Sequence, residues 1–244
     1  MESLPLSTLI VLTIVAFLSG TIDSITGGGG LITVPALLAT GLNPIAALGT
    51  NKLQAAISEL SATLHFSKTV NYRKIATYIV YTSVGAALGA LLVQVTRSER
   101  VESIVPWLLL FSLICFLIPK RSRTESQSKF HRLKIMAPLI GFYNGFFGPG
   151  TGSLWSIGFM EIIHLPPKES VMYTKPLNFI GNAISLMVFL FSGKIYLMGA
   201  VFMGVGSFFG GKFGAHIVTL KELPFLKWGI CLVLILSTIS AFCR

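Results

Sequence analysis

Two glycine clusters interrupt apolar segments at corresponding places in the two halves of the chain, GGGG at Gly27 to Gly30 and GPGTG at Gly148 to Gly152. A break of this kind frees backbone polar groups that lipid cannot satisfy, so it must be covered by protein or line a wet cavity. Gly20 and Gly141 lie 121 residues apart (141 minus 20), as do Gly27 and Gly148, and Gly29 and Gly150. Lys52 and Lys175 are 123 apart (175 minus 52), and Pro44 and Pro167 share that spacing. Gly85 and Gly89 return at 121 as Gly206 and Gly210. Landmarks repeated in one order indicate an internal duplication. Paired glycine interruptions in matching hydrophobic segments are the sequence mark of a transporter with broken helices.

Composition supports the membrane half of that reading. Of 244 residues, 53% are hydrophobic and only 11% charged, a balance that excludes an ordinary soluble domain. Runs such as Leu4 to Leu18, Ile75 to Val95, Ile104 to Ile118, Leu177 to Phe191 and Leu223 to Phe242 approach or reach the length that crosses a bilayer as helix. The first run carries Glu2 rather than a basic flank, and Gly20-Thr21-Ile22-Asp23 is a poor cleavage site, so it reads as a retained segment. Each half holds five apolar stretches, at residues 4–22, 29–40, 45–66, 75–95 and 103–119, then 135–148, 152–165, 170–191, 195–216 and 223–242. The expected fold is an all-α, polytopic integral membrane protein built from two inverted repeats with re-entrant or broken helices at the glycine turns. The repeats are residues 1–119 and 135–244, joined by a basic linker at 120–134.

The formal net charge of +10 does not point to nucleic acid, because the bases sit mainly in short loops. Lys120, Arg121, Arg123, Lys129, Arg132 and Lys134 mark the linker as cytoplasmic, with Lys68, Arg73 and Lys74 on the same side. With an odd number of crossings per half, both chain ends are expected outside. Trp107, Trp155, Trp228, Tyr72 and Tyr196 fall near segment ends, as residues of an interfacial belt do. Gly85 with Gly89, and Gly206 with Gly210 and Gly214, have the spacing that lets helices pack closely within a monomer or across a dimer.

The glycine turns have two readings, close packing alone or an anion site formed by open N–H groups at a following helix start. On the second reading, the amides of Gly28, Gly29 and Gly30 face those of Gly150, Thr151 and Gly152. The next helices supply polar stripes: Asn51, Gln54, Ser58, Ser61 and His65 in the first half, and Lys175, Asn178, Asn182 and Ser185 in the second. Lys52 and Lys175 open the stripes at equivalent positions, each expected to meet the glycine turn of its own half or to snorkel as an anchor. Asn51, Thr174, Asn178 and Asn182 would add hydrogen bonds.

Deep acids are few. Glu59 is either a proton carrier or half of a structural ion pair; Asp23 shares the coupling possibility but sits where a helix-end role is natural, as does Glu161. His65 and His164 read as interface residues, and no spacing suggests a metal site or a cofactor. Cys115, Cys231 and Cys243 form no CxxC pair.

The glycine break followed by VPAL, the GTN start at Gly49 to Asn51, the basic loop, then GFYNGFFGPGTG, TKPLN and GGKFGA together resemble the TauE/SafE family of sulfite-exporter-like membrane proteins, over nearly the whole chain. The resemblance implies a carrier, not an enzyme, that exports a small sulfur-containing anion such as sulfite or an organosulfonate across the cell (inner or plasma) membrane. Another small carboxylate or inorganic anion, or a membrane-embedded enzyme, is the alternative. The expected partners are the anion and membrane lipid, with the protein a monomer or homodimer. Alternating access of one repeat against the other is the expected mechanism, and an inside-negative potential favours anion export without a coupled proton.

Overall fold

A computed structural model describes residues 4–117, 131 and 133–220. Most of the basic linker and the stretch at 223–242, with Trp228, Cys231 and Cys243, lie outside the described residues. The described chain is helical: α1 (Leu6–Thr26), α2 (Gly30–Ala39), α3 (Pro44–His65), α4 (Ala76–Val95), α5 (Ser98–Leu117), α6 (Leu133–Phe146), α7 (Thr151–Ile157, continued by a π-helical turn at Gly158–Ile162), α8 (Pro167–Phe191) and α9 (Leu197–Leu220). Four of these, α1, α4, α8 and α9, are long and apolar enough to cross a membrane.

Local chemistry sets the boundaries. Asn43 caps α3 by accepting the Ile45 N–H, with Pro44 in the first turn where its missing donor costs nothing. Pro167 opens α8 in the same way, three residues earlier than the apolar pattern suggested. Helix α1 runs on to Thr26 and stops at Gly27, whose φ of 82° is left-handed. The chain then doubles back. Ser19 donates to the carbonyl of Gly29 at 2.9 Å, and Leu37 of α2 shares a buried cluster with Leu12 and Ala16 of α1. The first glycine cluster is therefore the bend of a helix hairpin, whose second arm, at 10 residues, is only about 15 Å long and spans half a bilayer.

The two halves interlock by exchanging partners. Helix α9 lies along α1, so that a Cβ on Gly206, Gly210 or Gly214 would strike the carbonyls of Thr13, Phe17 and Thr21 respectively. Helix α4 lies along α6 in the same manner, with Gly85 against Pro138 and Gly89 against Phe142. The small-residue seams thus serve packing within the monomer. They also correct the repeat register. Phe17 and Pro138 are 121 apart, as are Thr21 and Phe142, so the glycines that do the same job are Gly85 with Gly210 and Gly89 with Gly214, 125 apart (210 minus 85). The match of Gly85 and Gly89 with Gly206 and Gly210 is one helical turn out.

Helices α3 and α8, the equivalent polar helices, cross antiparallel at the centre: Gly49 meets Phe189 at one end of the contact, and Glu59 meets Asn178 nearer the other. Along α3, Leu48 belongs to one apolar cluster and Ala62 to another; along α8, Phe189 belongs to the first and Leu177 to the second. Asn51 to Glu59 of α3 and Asn178 to Ser185 of α8 lie between, with hydrocarbon at both ends.

Outward faces are apolar. Ile10, Ile14 and Leu18 on α1, Val80, Val84 and Leu88 on α4, and Val201, Val205 and Phe209 on α9 are all exposed. At about 1.5–3 kcal/mol for each large apolar side chain left in water, such faces require lipid. Two belt residues are corrected: Trp155 is wholly buried against Phe159, and Tyr196 is buried with its hydroxyl accepting from Leu4 N. Trp107, by contrast, is exposed.

Candidate functional site

The two glycine turns meet. Gly27 packs so closely on Gly152 that a Cβ on either would overlap the other's backbone, and Gly27 also needs its left-handed φ. Beside this contact is a cavity of about 20 Å³, walled by Ser19, Asp23 and the turn glycines Gly27, Gly30, Gly148, Gly150 and Gly152 on one side. The polar helices complete it with Asn51, Gln54, Ser58, Glu59, Asn178 and Asn182. It is water-sized. Several buried polar atoms here have no hydrogen-bond partner among the described residues: Ser58 Oγ, Glu59 Oε2, Asn178 Oδ1 and, just behind the wall, Asn144 Nδ2.

Both lysines are fully buried, but neither serves the turn of its own half. Lys52 of α3 crosses to the second half, where its ammonium donates to the backbone carbonyl of Asn144 and, at 3.0 Å, to that residue's Oδ1. A Cβ on Gly148 would stand 2.5 Å from this ammonium, so the second turn must be bare there. Lys175 of α8 crosses to the first half and donates to the carbonyl of Asp23 at 2.6 Å. Asp23 and Asn144 are 121 apart, so each lysine donates into the last turn of the other half's first helix, at the negative end of its dipole; Asp23 O also accepts from Gly27 N–H at 2.8 Å. The expectation that each lysine meets its own turn is overturned because α3 and α8 cross antiparallel and point their openings at opposite halves.

The electrostatics of the two are unequal. Lys175 has two carboxylates in reach, Glu59 Oε1 at 3.5 Å and Asp23 Oδ2 at 4.0 Å. Lys52 has none within salt-bridge distance among the described residues, only neutral amide oxygens. A fully desolvated cation without a counter-charge is unfavourable unless an anion joins it.

The remaining expected residues divide. Asn178 donates to Glu59 Oε1 at 3.0 Å and, with Asn182, lines the cavity. Asn51 lines it too, its Oδ1 accepting from Thr33 at 2.6 Å. Thr174 faces away, donating to Ser170 O at 2.8 Å beside Ser156. Of the turn amides, Gly29 N–H is taken by Asp23 Oδ1 at 3.1 Å and Thr151 N–H by Gly148 O, which narrows an amide cradle to Gly28, Gly30, Gly150 and Gly152. The second turn is further held by the hydroxyls of Ser112 and Tyr143, both 2.9 Å from Pro149 O. Gln54 and Ser58 come from the polar stripe, whereas Ser19 and Asn144 were not singled out by sequence. The spacing of 121 from Asp23 was the available signal for Asn144. Among the described residues no group of three His, Cys, Asp or Glu side chains is placed to hold a metal ion.

Comparison with known proteins places the chain among membrane transporters. The family model described as sulfite exporter TauE/SafE matches residues 12–241. A probable membrane transporter protein, ORF9, of Sinorhizobium sp is 37% identical over 233 residues, covering 93% of this chain and 89% of the relative. A probable membrane transporter protein of Haemophilus influenzae is 38% identical over 225 residues, 90% of this chain and 88% of the relative. The probable membrane transporter protein YfcA of Escherichia coli K12 is 37% identical over 229 residues, 91% and 85% respectively. No solved structure matches. An apolar helical chain with interlocked halves around a buried polar centre, matched along nearly its whole length, belongs to the sulfite exporter TauE/SafE family and is a membrane transporter.

Proposed function

We propose that the protein is a secondary carrier, not an enzyme, that exports a small oxyanion, with sulfite or an organosulfonate as substrate, by alternating access in the cell (inner or plasma) membrane. The observation that carries this reading is Lys52, an ammonium at 0% exposure whose protein partners are neutral oxygens. An oxyanion beside Gly148 and Gly150 would supply the missing charge, and the cavity-wall amides of Asn51, Asn178 and Asn182 would orient it.

The antiparallel crossing of α3 and α8 supports two repeats of inverted topology, since equivalent helices then run in opposite senses. A water-sized cavity does not hold an oxyanion, so the structure corresponds to a closed form in this reading. Opening to either side parts the Gly27–Gly152 contact, where no side chains interlock. The multi-pass chain would place both ends outside and the basic linker in the cytoplasm.

The test is counterflow in proteoliposomes loaded with unlabelled anion and offered labelled sulfite, methanesulfonate, acetate or phosphate. Exchange of the sulfur oxyanions is expected. Exchange confined to acetate or phosphate would reassign the substrate class, and no exchange of any would overturn the carrier reading.

A further inference from the structure

Where the second half has Asn144 and Asn182, the first has Asp23 and Glu59, at the matching spacings of 121 and 123. The repeats therefore agree in their lysines but place acids on one side only. We propose that Glu59 binds a proton that moves in the same direction as the anion, making the protein a proton–anion symporter. This rests on the carrier reading above and adds its co-substrate.

Glu59 is 1% exposed and belongs to the cavity wall. One oxygen is committed, accepting from Asn178 at 3.0 Å and lying 3.5 Å from the Lys175 ammonium. The other, Oε2, is buried with no hydrogen-bond partner among the described residues. A buried carboxylate with a bare oxygen at the wall of an opening cavity is placed to take up and release a proton. Asp23 is held differently: its Oδ1 accepts from Gly29 N–H, its Oδ2 lies 4.0 Å from the Lys175 ammonium, and it keeps 16% of its side chain exposed.

The charged groups facing Glu59 are few. Helix α1 presents Asp23 and α8 presents Lys175. Lys52 lies two turns earlier on its own helix, and α9 presents Ser207 and Gly211 to this side of α3. Lys212 and His216 of α9 are exposed and stand beside His65 at the far end of α3.

Charge balance then enforces coupling. Without substrate, the charges of Lys52 and Lys175 equal in number those of ionised Asp23 and Glu59, so the buried centre is neutral as a whole although both carboxylates lie at Lys175. A monoanion entering at Lys52 makes the centre negative unless Glu59 takes up a proton, which restores neutrality. Both forms that must pass through the closed conformation, the empty one and the one carrying anion plus proton, are neutral. The two half-loaded forms bury a net charge and are disfavoured. Proton uptake at Glu59 forms one O–H bond, and release on the other side breaks it. Because anion and proton cross together, the membrane potential does not drive the cycle; the two concentration gradients do, which modifies the expectation of potential-driven export.

The experiment uses the full-length protein in proteoliposomes with methanesulfonate, whose charge does not change with pH. Addition of methanesulfonate outside should acidify the lumen, read by a trapped pH dye. A lumen one pH unit more alkaline than the bath should accumulate methanesulfonate about tenfold, unaffected by a valinomycin-clamped potential. Glu59→Gln should lose pH-driven accumulation while still exchanging methanesulfonate, because the loaded neutral form can shuttle and the empty one cannot. Wild-type exchange with no proton movement overturns coupling and leaves the carrier reading standing. Proton movement that persists in Glu59→Gln overturns the assignment to Glu59. Absence of methanesulfonate exchange in the wild type overturns both the sulfonate reading and this inference.

Discussion

The Lys52 and Lys175 sites are built on one plan and differ in charge. Each lysine is fully buried, rises from the same place on a central helix and donates into the last turn of the first helix of the opposite half. Lys175 is compensated by Asp23 and Glu59; among the described residues Lys52 leans on Asn144 alone. The same geometry occurs twice, with carboxylates at one site and an amide at the other. On the proposed reading, Lys175 holds the protein together and Lys52 holds the substrate.

The largest effect that would sharpen this contrast is on stability. Lys175→Gln strands two carboxylates in a dry interior, and breaking such a pair costs about 3–5 kcal/mol, on the order of 10 °C in Tm for a chain of this size. The drop should be visible by thermal unfolding in detergent. The triple variant Asp23→Asn, Glu59→Gln, Lys175→Gln should recover most of it, since no carboxylate is left without its cation. A Lys175→Gln protein as stable as wild type would mean that the pairing is not structural.

A smaller effect comes from making the second site resemble the first. Asn144→Asp places a carboxylate beside Lys52 and satisfies it internally, so anion affinity in the exchange assay should fall about tenfold with little change in Tm. Unchanged affinity would move the anion away from Lys52. The smallest effect is expected at Lys168, an exposed base whose ammonium donates to Thr219 O at 3.0 Å. Lys168→Ala should change exchange by less than about twofold, because exposed charges are screened by solvent and salt. A large loss there would make surface bases part of recognition.

Much of this was legible in the sequence. The glycine breaks, the paired lysines and the polar stripes mark the central helices and the hairpin, because lipid tolerates such residues only where protein covers them. Two things were not. The crossing of the lysines depends on α3 and α8 running antiparallel, a tertiary relation that spacing within one half cannot report. The register of the α4 and α9 glycines was misread by one turn because a seam repeating every four residues matches itself when slid by four, and only the carbonyls it touches distinguish the two alignments. Trp155 misled for a related reason: its position near a segment end suggested an interface, yet that segment folds inward as α7 and stacks the indole on Phe159.

The central claim is that Lys52 is the substrate's cation, and counterflow of labelled sulfite or methanesulfonate by Lys52→Gln tests it most directly. Truncating a buried charge from its partner costs about 2–5 kcal/mol, so exchange at subsaturating anion should fall about 30-fold or more, with the variant still monodisperse and folded. Exchange at the wild-type rate in that folded variant would contradict the account.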